Sequence, residues 1–109
     1  MHELAITDGI VAGICERVGE GRVRRITLEI GALTAVLPDA VRFCFDVCAA
    51  GTRCEGAELE IVPVPGRARC RSCHAELQMQ GPWALCACGA GDVDILSGQQ
   101  LLVRTVEVE

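Results

Sequence analysis

The stretch C-R-S-C-H-A-E-L-Q-M-Q-G-P-W-A-L-C-A-C-G, residues 70–89, limits the fold of this chain more than any other part of it. Cys70 and Cys73 form a C-x-x-C pair. After twelve intervening residues, Cys86 and Cys88 form a C-x-C pair followed by Gly89. A tetrahedral Zn(II) site takes thiolates at about 2.3 Å. Two close pairs joined by a loop supply four of them, two from each turn. Residues i and i+2 of an extended segment face the same way, so both sulfurs of the shorter pair reach one ion. Four sulfurs leave no open coordination position. Such an ion is structural and folds a segment with too few apolar residues to fold alone. His74, beside Cys73, is the rival fourth ligand and is otherwise an exposed polar residue. A redox C-x-x-C is the other reading. It is disfavoured because that motif opens a helix and no helical pattern follows Cys73.

The chain has eight cysteines and no pattern of an export signal: Glu3 stands where a basic leader segment would begin. This favours a reducing, cytoplasmic setting, where paired cysteines bind metal more often than they form disulfides. Cys15, Cys44, Cys48 and Cys54 read as packing residues. Cys44 and Cys48, at i and i+4, have the spacing to chelate but lie on an apolar helix face. Trp83, between the pairs, is expected to cover the small core of the cysteine-rich segment.

Outside that segment the periodicity is regular. Over residues 3–18, Leu4, Val11, Ile14, Cys15 and Val18 share a helix face with Ile10 at its edge, and Gly19-Glu20-Gly21 stops the helix. RITLEI alternates, with Ile26, Leu28 and Ile30 on one side, as a half-buried strand does. Leu37-Pro38-Asp39 starts a second helix with Val41, Phe43, Cys44, Val47 and Cys48 at helical spacing, closed by Gly51. AELEIVPV is a second strand that Pro63 and Pro65 place at a sheet margin. From Gly66 to Gly98 helical periodicity disappears, and QQLLVRTVEVE then reads as a third strand. The order predicts an α/β fold: a small three-stranded sheet with two helices on one face, plus an inserted four-Cys zinc-ribbon-like module.

A 109-residue chain has room for one modest core and gains from an added staple. Its net charge of −5 argues against a nucleic-acid surface. Arg22, Arg24 and Arg25 form a short local run that reads as a solvated strand start. No stretch approaches the roughly 18 apolar residues of a membrane span. No G-x-x-x-x-G-K-[ST] loop is present, and no residue constellation points to catalysis, so a binding protein is expected rather than an enzyme.

The chain begins Met1-His2-Glu3. An α-amine titrates near ~7.7–8.0 and is an available ligand near neutral pH. With the His2 imidazole and the backbone nitrogens of His2 and Glu3, it closes fused chelate rings around one ion. A planar nitrogen set suits Ni(II) or Cu(II) rather than Zn(II). The first N–H groups of a helix have no intrahelical acceptor, so deprotonating them breaks no helical bond. The positive end of the helix dipole opposes a cation there. On the residues alone, a chance Met-His-Glu with Glu3 as an ordinary first-turn acid remains the competing reading.

MHELAITDGIV, EIGALTAVLPDAVRFCFDV, AAGTRCEGAELEI, the paired-Cys insert and the closing LLVRTVEVE, in this order, resemble the HypA/HybF family of hydrogenase maturation nickel metallochaperones. The resemblance runs over nearly the whole chain. It implies transient Ni(II) binding carried by Met1, His2 and Glu3, with His2 as the imidazole donor. It also implies a structural Zn(II) held by Cys70, Cys73, Cys86 and Cys88. On this reading residues 1–65 and 99–109 are a nickel-binding α/β domain interrupted by a zinc-binding insert, 66–98. The implied partners are a nickel-binding GTPase accessory protein and the large-subunit precursor of a [NiFe] hydrogenase, with a homodimer compatible. Nucleic acid and membrane are not expected partners. The C-x-C pair departs from the commoner family spacing, which bears on the backbone-to-sulfur hydrogen bonds of the second turn. The rival function is a zinc-ribbon adaptor for protein–protein binding with no nickel role.

Overall fold

Helix α1 runs from His2 to Val18 and stops at Gly19, whose φ of 71° only a glycine adopts freely. The Gly19 N–H donates to the Cys15 carbonyl at 3.2 Å and closes the last turn. Strand β1 (Val23–Gly31), helix α2 (Pro38–Ala49) and strand β2 (Glu58–Val64) follow. The cysteine-rich segment holds β3 (Gly66–Cys70), β4 (Glu76–Met79) and β5 (Val93–Ser97), and β6 (Leu101–Val108) closes the chain. The structure is a computed structural model that describes residues 2–80 and 85–109. Met1 and Trp83 therefore lie outside the described residues.

The strand order left open by the sequence is β2-β1-β6 in one sheet and β4-β3-β5 in another. Gly31 donates to the Gln100 carbonyl and Glu109 to that of Arg22, so β1 and β6 are antiparallel. Arg25 and Thr27 reach Glu60, and Ala32 donates to the Val64 carbonyl. β1 and β2 therefore run in the same direction, with α2 as the helical crossover that parallel neighbours need.

The chain divides into two compact units: Met1–Leu28, Val36–Val62 and Leu102–Glu109 form one, and Glu29–Ala35 with Pro63–Leu101 the other. The core of the first gathers Val11 and Ile14 of α1, Val23 and Ile26 of β1, Phe45 and Ala49 of α2, and Cys54. Leu59, Val103 and Val106 pack against it from the flanking strands. Both helices thus cover one sheet face, as the pattern predicts.

Two face assignments differ from the sequence reading. On α2 the buried stripe is Val41, Phe45 and Ala49, while Phe43 is 77 % and Val47 64 % exposed. The helix carries apolar residues on two sides, and only the Phe45 side meets the sheet. On α1, Leu4 is 44 % exposed, and Thr7 is buried in its place. The Thr7 hydroxyl donates to the Glu3 carbonyl at 2.6 Å, which satisfies its buried polar group.

The second unit contains three strands where the sequence predicts none. β3 pairs antiparallel with β4 (Arg69↔Glu76) and with β5 (Cys70↔Val93). Its inward residues are Gly66, Ala68 and Cys70, and Arg67 and Arg69 face out. An alternation of small side chains with arginine carries almost no hydrophobic signal. Where the segment leaves and rejoins the chain, backbones touch. Gly98 has φ 103°, and a Cβ there would lie 2.6 Å from the Gly66 Cα; a side chain on Gly31 would overlap the Gly98 carbonyl.

Candidate metal centres

Two short turns, built alike, bring four sulfurs together. In the first, His74 donates to the Cys70 carbonyl and Cys70 donates to the Ala75 carbonyl, both at 2.9 Å. In the second, Gly89 donates to the Cys86 carbonyl at 2.8 Å and Cys86 to the Ala90 carbonyl at 2.9 Å. The second turn closes one residue sooner, which matches its C-x-C spacing. In each, the residue after the second cysteine is left-handed: His74 at φ 65° and Gly89 at φ 94°. His74 thus serves the turn through its backbone, and its side chain is exposed.

The ligand atoms of Cys70, Cys73, Cys86 and Cys88 all lie within 4.8 Å of one another. Cys70 Sγ is 3.7 Å from Cys88 Sγ, and Cys73 Sγ is 3.4 Å from Cys86 Sγ. A tetrahedron with metal–sulfur bonds of about 2.3 Å has edges of about 3.8 Å. The spacing fits one ion and is far too long for a disulfide. Cys70 and Cys86 are buried, and Cys73 and Cys88 are exposed. Among the described residues this is the one group of three or more such side chains placed to hold a metal.

Electrostatics within the cluster point the same way. Backbone N–H groups of Cys73 and Ser72 aim at the Cys70 sulfur and lower its pKa to about 7. The Ala75 N–H draws the Cys73 thiol down, but the crowding thiols of Cys86 and Cys70 prevail and raise it to about 11. Cys88 behaves alike: the Ala90 N–H lowers it, and Cys86 and Cys70 push it up on balance. The second turn thus keeps a backbone-to-sulfur hydrogen bond despite its missing residue. Four sulfurs this close cannot all ionise unaided, and a divalent cation at their centre removes the conflict.

At the start of α1, the His2 side chain is 68 % exposed, and its Nε2 lies 3.7 Å from the Glu3 carboxylate. The backbone nitrogens of His2 and Glu3 occupy the first turn, outside the helical hydrogen-bond ladder. The Glu3 carboxylate accepts from the Leu37 N–H at 3.4 Å. Glu3's own N–H, the Leu37 N–H and the His2 charge hold its pKa below the usual carboxylate value. Leu37 is the N-cap residue of α2 and offers no side-chain cap. The Glu3 carboxylate, from another helix, instead takes up the N–H of Leu37 itself, a contact not legible in the sequence because the two residues are far apart in the chain.

Sheet, helices and sulfur cluster define a class: a small α/β metal-binding protein with a separate four-thiol module. A family model described as "Hydrogenase/urease nickel incorporation, metallochaperone, hypA" matches residues 1–108, and the chain belongs to this HypA family. The hydrogenase maturation factor HypA of Trichormus variabilis is 49% identical over 109 residues, covering 100% of this chain and 96% of the relative. That of Geobacter metallireducens is 48% identical over 111 residues and covers 100% of both. The solution structure of the Ni metallochaperone HypA from Helicobacter pylori has the same fold. It aligns with a TM-score of 0.68 at 18% identity, covering 97% of this chain and 96% of that one. Among the described residues no helix is long and apolar enough to cross a membrane.

Proposed function

We propose that this chain carries Ni(II) in the cytoplasm for the maturation of [NiFe] hydrogenase. Met1 provides its α-amine, His2 its imidazole and backbone nitrogen, and Glu3 its backbone nitrogen. The nickel is cargo, taken up and passed on; the recipients are a nickel-binding GTPase and the hydrogenase large-subunit precursor. Zn(II) in the cage of Cys70, Cys73, Cys86 and Cys88 supplies fixed geometry and no chemistry.

The observation that supports this reading is the contrast between the two ends of the metal problem. His2 is exposed on the first turn of a helix, where backbone nitrogens are free of the ladder. The sulfur cage is closed, with four donors for one ion. An exposed terminal ligand set exchanges its ion, and a closed tetrahedral one keeps it.

Extending the N-terminus by two residues, so that Met-His-Glu becomes internal, tests the reading. Titration calorimetry on untagged protein is expected to show loss of Ni(II) uptake, with zinc unchanged at one per chain; His2→Ala behaves the same way. Ni(II) uptake indifferent to the extension refutes the terminal site, and no Ni(II) uptake by the unextended protein leaves the zinc-ribbon adaptor as the better account.

A further inference from the structure

Four cysteines lie outside the sulfur cage, and two of them touch. Cys15 of α1 and Cys54, in the loop after α2, stand 3.7 Å apart, Sγ to Sγ. Cys54 is fully buried, and Cys15 is half-buried. Cys15 lines an open cleft of about 380 Å³ together with Asp8, Val11, Cys48, Thr52 and Arg53. The cleft therefore brings a small solute to half-buried Cys15, while Cys54 is buried and does not line it.

We propose that Cys15 and Cys54 are a peroxide-sensitive thiol pair that closes a disulfide between α1 and the loop after α2. The Cys15 sulfur attacks one peroxide oxygen and the O–O bond breaks. Cys15 gives up its proton, becomes a sulfenic acid, and one water leaves. The Cys54 sulfur then attacks the sulfenic sulfur. The S–O bond breaks, and the Cys54 proton departs with that oxygen as a second water. Two thiols are oxidised to one disulfide as one peroxide is reduced to two waters.

The surroundings suit each step. Arg53 donates to the Cys15 carbonyl at 3.0 Å, which sets guanidinium N–H groups in the cleft wall where a peroxide oxygen can accept them. Cys54 is held on a tight turn: its N–H donates to the Thr52 hydroxyl, which donates to the Ala49 carbonyl, and Ala57 donates to the Cys54 carbonyl. The resolving sulfur is thereby fixed next to the sulfur that reacts. Closing the bond takes an approach of under ~2 Å from the resting separation. Burial, reinforced by Cys15, raises the Cys54 pKa to about 11, so Cys54 rests as a thiol until an oxidant arrives. Cys48 shares the cleft but directs its thiol to the Leu4 carbonyl at 3.8 Å, and burial raises its pKa as well.

The test uses untagged, zinc-loaded protein treated with one equivalent of hydrogen peroxide, then alkylated and digested with trypsin. Cleavage after arginine puts Cys15 in peptide 1–17, Cys44 and Cys48 in 43–53, and Cys54 in 54–67. The expected product has lost two hydrogens, links 1–17 to 54–67, carries two alkylated thiols on 43–53 and retains its zinc. In Cys54→Ser, dimedone is expected to label Cys15. A 1–17 to 43–53 link overturns the proposal. So does over-oxidised Cys15 beside an alkylated Cys54, or zinc release before any link forms. If Cys54→Ser does not fold, the wild-type map decides alone.

Discussion

At the residue scale, Glu3 joins two helix starts. Its carboxylate accepts from Leu37, whose N–H would otherwise be an orphan at the head of α2. The pKa of Glu3 is lowered in the folded state from an ordinary 4.5, by its own N–H, the Leu37 N–H and the His2 charge. The linkage has one sign. The carboxylate stabilises the fold above its unfolded value, and that contribution is lost as pH falls through the lowered folded value. Glu3→Gln is therefore expected to unfold at a lower temperature than wild type near neutral pH, with the gap closing in acid. Acid also strips metal from thiolates, but in both proteins alike, so the difference between them isolates Glu3. A gap independent of pH removes the charge from the argument. The His2 imidazole is expected to contribute little to stability because its side chain is mostly exposed.

At the scale of elements, the two phenylalanines of α2 separate what the sequence carries from what it does not. Phe45 is buried at 4 % exposure in the core of the first unit, and Phe43 faces out. Phe45→Ala is expected to cost about 3–5 kcal/mol, while Phe43→Ala stays within about 0.5 kcal/mol; denaturant titration measures both. Helical spacing announced α2, and Gly19, Pro38 and the alternation in β1 announced where elements start and stop. The choice of face was not legible, because Phe43 and Val47 are as apolar as Val41 and Phe45. Only the position of β1 decides between the two sides. β3 was hidden for another reason: Gly66, Ala68 and Cys70 bury backbone and a metal ligand rather than bulk. That four sulfurs would gather was legible, since two close cysteine pairs joined by a loop announce the grouping without reference to packing. The Gly98 contact was not, because closeness between Gly66 and Gly98 is a tertiary fact. Gly98→Ala forces a side chain into a conformation reserved for glycine and against the Gly66 Cα. At least about 1–3 kcal/mol of destabilisation is expected, read as broadened or lost amide signals over β3 and β5.

At the scale of the whole molecule, the two units rest on different forces. The first buries Val11, Ile14, Val23, Ile26 and Phe45 together, a set that excludes water on its own account. Among the described residues the second unit buries Ile30, Ala68, Cys70, Met79 and Cys86, a smaller apolar set in which two members belong to the four-thiol cluster. Arg67 and Arg69 pair with Glu76, and Arg71 pairs with Asp92 and Asp94, but these pairs are exposed. Exposed ion pairs add little each. On the function proposed above, Zn(II) in the four-thiol cage is the main source of order in this unit, and removing the ion is expected to remove its fold. A strong chelator is expected to collapse the amide signals of 63–80 and 85–101 toward random-coil positions. The helical circular dichroism of α1 and α2 persists. Cys73→Ser gives the same spectrum without chelator, because three thiolates and a hydroxyl hold zinc less tightly. Metal must displace thiol protons, the raised Cys73 and Cys88 thiols among them, so the concentration of chelator needed rises with pH. Loss of both units in one transition, or a chelator threshold flat in pH, contradicts this division of forces.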